Sequence, residues 1–166
     1  MIIAVDGPAA SGKGTLARAL SEEFNLAYLD TGSLYRATAA RLLADGNADP
    51  TEDQATKAAD SIAAADRESP DLRYEATGQL ASKVAAMQGV RASLLAFQRN
   101  FAANPPNGKR GAVILQAFGE HETQVQRTPF KRSAAPPIAD LGKLIGGFGR
   151  LCMILRNQPF KQGDAG

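Results

Sequence analysis

The sequence predicts an α/β fold over residues 1–115: a parallel sheet flanked by helices, followed by a stretch, 116–166, of different character. Three observations predict it. A short apolar run at 1–5 is followed by a glycine-rich turn and then by the apolar spacing of an amphipathic helix, Leu16, Ala17, Leu20 and Phe24. A second apolar run arrives at 26–29, so strand, helix and strand fall within about 30 residues, the size of a βαβ unit with a right-handed crossover. A third run, 111–115, is short enough for a central strand and follows the strong stop Asn104-Pro105-Pro106-Asn107-Gly108.

Each element has a local reason. Residues 1–5 are apolar and end in Asp6-Gly7-Pro8, as a buried parallel strand does. The first helix is expected over 13–24, with Asn25 as its stop. The second strand ends in Asp30-Thr31-Gly32, and a helix is expected over 33–43, closed by Asp45-Gly46. Thr51 and Gln54 have capping-box spacing, and Ala55, Ala58, Ala59, Ile62 and Ala63 share the face of the helix that follows. Residues 67–71, with Ser69-Pro70, read as a loop. Leu80, Val84 and Met87 predict a helix over 75–87. Gln88-Gly89 breaks it, and Val90, Leu94, Leu95, Phe97 and Phe101 resume helical spacing. Beyond Leu115, residues 116–137 show no sustained period. Helical spacing returns near 138–156, weakened by four glycines, and 157–166 read as a frayed tail. Three strands are expected in all, the third at an edge or uncovered.

Composition excludes several classes. Nineteen basic against seventeen acidic residues leave a net charge of +2, too small to imply nucleic acid or an acidic membrane surface. Cys152 is the only cysteine, so no internal disulfide can form, and His121 is the only histidine, with no metal-ligand cluster around it. No secretory leader is visible, and the charged residues near 138–156 argue against a membrane span; a cytoplasmic setting is expected.

The chemistry is concentrated at the turn Gly7-Pro8-Ala9-Ala10-Ser11-Gly12-Lys13-Gly14-Thr15. Strand, glycine-rich turn and helix form the context of a phosphate-binding loop. Glycines let successive N–H groups curl round a phosphate, the helix start adds its dipole, and Lys13 adds a mobile positive charge. Gly7, Gly12 and Lys13 fit G-x-x-x-x-G-K-[ST]; Gly14 stands where Ser or Thr is usual, and Thr15 follows. A second constellation, Asp30-Thr31-Gly32-Ser33-Leu34-Tyr35-Arg36, lies at the carboxyl end of the second strand, where open α/β sheets bind ligands. Thr31 and the backbone after it can open a helix and hold an anion, Tyr35 offers a ring to a base, and Arg36 offers a fork of donors to a phosphate. Taken alone, the same residues read as a capped helix with a surface arginine.

These motifs, together with Gly78-Gln79-Leu80-Ala81-Ser82-Lys83-Val84-Ala85-Ala86, Val90-Arg91 and Phe97-Gln98-Arg99, make residues 1–115 resemble bacterial cytidylate kinases, members of the P-loop nucleoside monophosphate kinases. The G-K-G-T form of the loop belongs to that group. The resemblance implies phosphoryl transfer from ATP to CMP or dCMP, with Mg²⁺, in a monomer whose partners are small nucleotides. Residues 7–15 would cradle the ATP phosphates, with Lys13 as the catalytic cation on the transferring group and Thr15 an indirect contact of the metal. Thr31, Tyr35 and Arg36 would seat the CMP, Ser82 would hydrogen-bond the cytosine, and Arg91 would pair with the CMP phosphate or support the base pocket. On the residues alone, Ser82 is also a helix hydroxyl bonding its own backbone, and Arg91 a solvated cation at a helix start. The likeness stops after Leu115: the family continues with Asp-Gly-Arg-Asp, and this chain reads Gln116-Ala117-Phe118-Gly119-Glu120.

Overall fold

The computed structural model describes residues 1–6, 10, 12–63, 65–116 and 152–156. Two compact units emerge: Met1–Leu29 with Ala102–Gly166, and Asp30–Phe101.

The first unit is built on a sheet. Its strands are β1 (Ile2–Asp6), β2 (Ala27–Asp30), β3 (Ala112–Leu115) and β4 (Cys152–Arg156), in spatial order β2-β3-β1-β4. Here β1 pairs in parallel with β3, Ile2 opposite Ala112 and Val5 opposite Leu115, and antiparallel with β4, Ile2 opposite Arg156 and Asp6 opposite Cys152. Two expectations are thereby corrected. β3 is not an edge strand: it lies between β2 and β1, and all four of its residues are buried, which is why the run Ala-Val-Ile-Leu carries no alternation. The last part of the stretch expected to be helical, Cys152–Arg156, is a strand; residues 138–151 lie outside the described residues. The apolar spacing there fits a helix, but the short run Cys-Met-Ile-Leu-Arg fits a strand as well, and pairing with β1 decides it.

Helix α1 (Lys13–Glu23) buries Leu16, Ala17 and Leu20 in a core with Ile3, Val5, Leu26, Val113 and Leu115. It ends at Asn25, whose φ of 51° is the left-handed cap. Asn25 N–H donates to the Glu22 carbonyl and Leu26 N–H to that of Ser21, the bond pair of a Schellman motif.

The second unit is helical. Its helices are α2 (Thr31–Ala44), α3 (Glu52–Asp60), α4 (Glu75–Ala85) and α5 (Gln88–Ala103), with 3₁₀ turns at Ala65–Glu68 and Pro70–Arg73 where a loop was expected. α2 packs on α3 and α4. The capping box predicted for α3 is present, with Gln54 N–H donating to Thr51 Oγ1 and Thr51 N–H to Gln54 Oε1. Of the face predicted there, Ala55, Ala58, Ala59 and Ile62 are buried and Ala63 is exposed, because the helix stops at Asp60. Gln88-Gly89 begins α5 instead of separating two helices by a loop. Among the described residues no helix is long and apolar enough to cross a membrane, and no group of three His, Cys, Asp or Glu is placed to hold a metal ion.

Candidate functional site

Of the residues expected to form a phosphate loop, Ala10 and Gly12 to Thr15 are described and belong to the first unit. Gly7, Pro8, Ala9 and Ser11 lie outside the described residues. Ala10 (φ 59°) and Gly12 (φ 77°, ψ 7°) both occupy the left-handed region, the backbone habit from which anion-binding nests are made. Gly12 carries no side chain to cap α1, and its carbonyl accepts the first helical bond from Leu16 N–H at 3.1 Å. No acidic residue lies in the first turn, so the positive end of the helix is not neutralised from within it. Lys13 is half-buried and Thr15 exposed on that turn. A Cβ on Gly14 would stand 3.8 Å from Leu115 Cδ2, an ordinary contact, so packing against β3 does not by itself demand glycine there.

All five residues expected on the acceptor side, Thr31, Tyr35, Arg36, Ser82 and Arg91, fall in the second unit. Asp30 caps α2, its carboxylate accepting from Gly32 N–H at 2.9 Å, while Ser33 Oγ donates to the Asp30 carbonyl at 2.6 Å. The terminus expected to hold an anion beyond Thr31 therefore already has one, the Asp30 carboxylate, and Thr31 itself is 1% exposed. Tyr35 is also 1% exposed. A ring covered by protein presents no face for stacking, so the structure does not offer Tyr35 to a base.

Arg36 is different. It is exposed, and its Nη1 donates to the Leu72 carbonyl at 3.0 Å, across to the second 3₁₀ turn. That bond uses one of five guanidinium donors. The guanidinium lies against Gly78 of α4: a Cβ there would be 3.2 Å from Nη1 and 3.8 Å from Cζ and Nη2. Ser82 Oγ donates back to the carbonyl of the same Gly78 at 3.2 Å. Arg36 and Ser82, 46 positions apart, thus converge on one helix glycine. Arg91 is exposed, with Nη1 3.4 Å from the Ala85 and Ala86 carbonyls, a cation at the negative end of α4. The start of α5 that carries it is tied to α3: Gly89 N–H donates to Glu52 Oε1 at 2.7 Å.

Sequence reasoning missed Gly78, Leu72 and Glu52. A carbonyl partner leaves no trace in composition. The signal for Gly78 was available, since an isolated glycine inside a helical pattern costs about 1 kcal/mol relative to alanine and needs a reason.

A sequence model of the cytidylate kinase family matches residues 3–109. The chain is 54% identical over 114 residues to a cytidylate kinase of Paramagnetospirillum magneticum, covering 68% of this chain and 53% of that protein. It is 50% identical over 118 residues to one of Rhodospirillum rubrum, covering 69% and 54%, and 54% identical over 103 residues to one of Acidiphilium cryptum, covering 61% and 48%. The chain spans about half the length of the curated relatives it matches. With a family match that spans the phosphate loop, the Arg36–Gly78–Ser82 cluster and Arg91, this chain belongs to the cytidylate kinase family.

Proposed function

We propose that the chain binds ATP through its first unit and CMP or dCMP through its second, and transfers the γ-phosphoryl group to give CDP or dCDP. In this reaction an oxygen of the CMP phosphate forms a bond to the γ-phosphorus, the bond from that phosphorus to the bridging oxygen breaks, and ADP leaves. The observation that carries the reading is the partition of the site. The described residues of the expected phosphate loop, Ala10 and Gly12 to Thr15, fall in one unit, and Thr31, Tyr35, Arg36, Ser82 and Arg91 in the other.

The protein has little covalent work in such a transfer; it aligns the reactants and stabilises charge. The loop backbone and the start of α1 hold the donor phosphates, and Lys13 follows the transferring group. Arg36 holds the acceptor phosphate, and Ser82, its proton committed to the Gly78 carbonyl, turns an acceptor lone pair towards the base. Mg²⁺ suits this donor set. Such an ion needs few protein ligands, so the exposed hydroxyl of Thr15 would hold it indirectly, without a carboxylate cage. When bound it neutralises the phosphate oxygens. The reaction belongs where small nucleotides are soluble, and needs neither nucleic acid nor membrane.

A second reading is favoured by one observation. Gln116-Ala117-Phe118-Gly119 stands where the family carries Asp-Gly-Arg-Asp. Loss of an arginine clamp costs about 10³-fold or more in rate. On this reading the chain binds ATP and turns nothing over.

A coupled assay of ADP release with CMP, dCMP, AMP and UMP, run beside thermal melts with each nucleotide, separates the two. CMP-dependent turnover abolished by Lys13→Ala supports transfer. Stabilisation by ATP without turnover supports the second reading, and turnover only with AMP or UMP overturns the substrate assignment.

A further inference from the structure

We infer that Gly78 is a positioning residue for the acceptor phosphate: its bare Cα is the seat on which the Arg36 guanidinium rests. The inference rests on the reading of the second unit as the CMP side. Gly78 sits inside α4, in a segment that otherwise favours alanine, at positions 76, 81, 85 and 86. Its φ is not in the left-handed region, and its N–H makes an ordinary helical bond to the Tyr74 carbonyl at 3.1 Å. Conformation therefore gives no reason for glycine. Space does. Three guanidinium atoms of Arg36 would lie within 3.2–3.8 Å of an added Cβ, the nearest being the Nη1 that also reaches the Leu72 carbonyl. A methyl group at 78 moves that nitrogen by a few tenths of an ångström and disturbs its one fixed bond. With that bond weakened, nothing fixed holds the planar fork within the roughly 0.5 Å that gripping a phosphate demands, so the cost falls on ligand binding. The fold itself gains, because alanine is the better helix former.

This predicts a split that a purely structural glycine would not give. In calorimetric titrations of CMP into the full chain, Gly78→Ala weakens binding about tenfold, while its melting temperature rises by about 2–4 °C. ATP affinity stays as it was. In an Arg36→Ala background, Gly78→Ala has no further effect on CMP. The NMR signal of the Arg36 Nε–H shifts in Gly78→Ala without any nucleotide. Parental CMP affinity in Gly78→Ala overturns the inference, as does an equal loss in the Arg36→Ala background. So does a joint fall of stability and affinity, or an unmoved Arg36 signal. If the parent chain does not bind CMP, or Arg36→Ala binds it normally, the substrate reading fails and the inference falls with it.

Discussion

At Gly46 and Gly111 the same residue type answers two different demands. Gly46 follows α2 with φ 73°, its N–H bonded to the Leu43 carbonyl and that of Asn47 to Leu42, and a Cβ there would touch nothing within 4 Å. Only the left-handed backbone asks for glycine, so Gly46→Ala should cost about 1 kcal/mol. At Gly111 there is no left-handed backbone, but an added Cβ would fall 1.8 Å from the Met1 carbonyl oxygen, where Ala112 N–H meets the same oxygen and Gly111 O accepts from Ala27 N–H. That neighbour is backbone and cannot swing aside, so Gly111→Ala should cost about 3 kcal/mol or more. Urea melts of both variants check the contrast; equal costs would mean that the approach of Met1 is not a constraint. Residue by residue, Asp45-Gly46 was legible as a helix stop because turn chemistry is local. Gly111 was not, because its partner is 110 positions away. Ser82 and Arg91 are open in the sequence between substrate contact and local role, and their bonds to the carbonyls of Gly78, Ala85 and Ala86 are local ones.

Among the elements, α3 and α4 show what capping chemistry reveals. The Thr51–Gln54 box could be read directly from its spacing and is present in full. α4 has no comparable signal: Tyr74 holds its N-cap position in extended geometry, φ −67° and ψ 143°, with no side-chain bond to the helix and a residue exposure of 62%. The backbone is already shaped for a capping hydroxyl, and the ring buries little. Tyr74→Ser should therefore stabilise the chain by about 1 kcal/mol, read as a higher denaturation midpoint at unchanged slope. A midpoint that falls would show that the ring packs more than its exposure suggests. The break between α4 and α5 is legible, but α5 starts at Gln88, earlier than the expected Val90, for a related reason. Gln88-Gly89 looks like a break when only local propensity is counted, yet Gly89 N–H has a long-range acceptor in Glu52. An added Cβ there would meet Thr56 Oγ1 at 2.3 Å, so any larger residue would force that hydroxyl on α3 to turn away. Tertiary contact, not propensity, lets α5 start at that point.

For the whole molecule, the βαβ opening and the existence of a third strand, though not its central place, were legible because buried parallel strands declare themselves as short unbroken apolar runs. The antiparallel β4 was not, since a run of five residues is too short for a period that separates strand from helix. Nor does the sequence announce where one compact unit gives way to the other, which occurs inside the run from β2 into α2, between Leu29 and Asp30. That boundary makes a prediction about the two nucleotides. A ligand slows amide exchange where it holds the backbone, because it stabilises the closed form it binds. ATP should protect amides of the first unit, foremost Gly12 to Leu16 at the start of α1. CMP should protect those of the second, foremost the turns of α4 around Gly78 and Ser82 and the first turn of α5 with Arg91. Hydrogen exchange followed by mass spectrometry, with each nucleotide alone, resolves the two peptide sets. Protection of residues 75–91 by ATP alone, or of 12–20 by CMP alone, would contradict the assignment of donor and acceptor to separate units. Protection in the expected places would show that each half of the site forms without the other, so that any loss of turnover belongs to the segment after Leu115 and not to substrate capture.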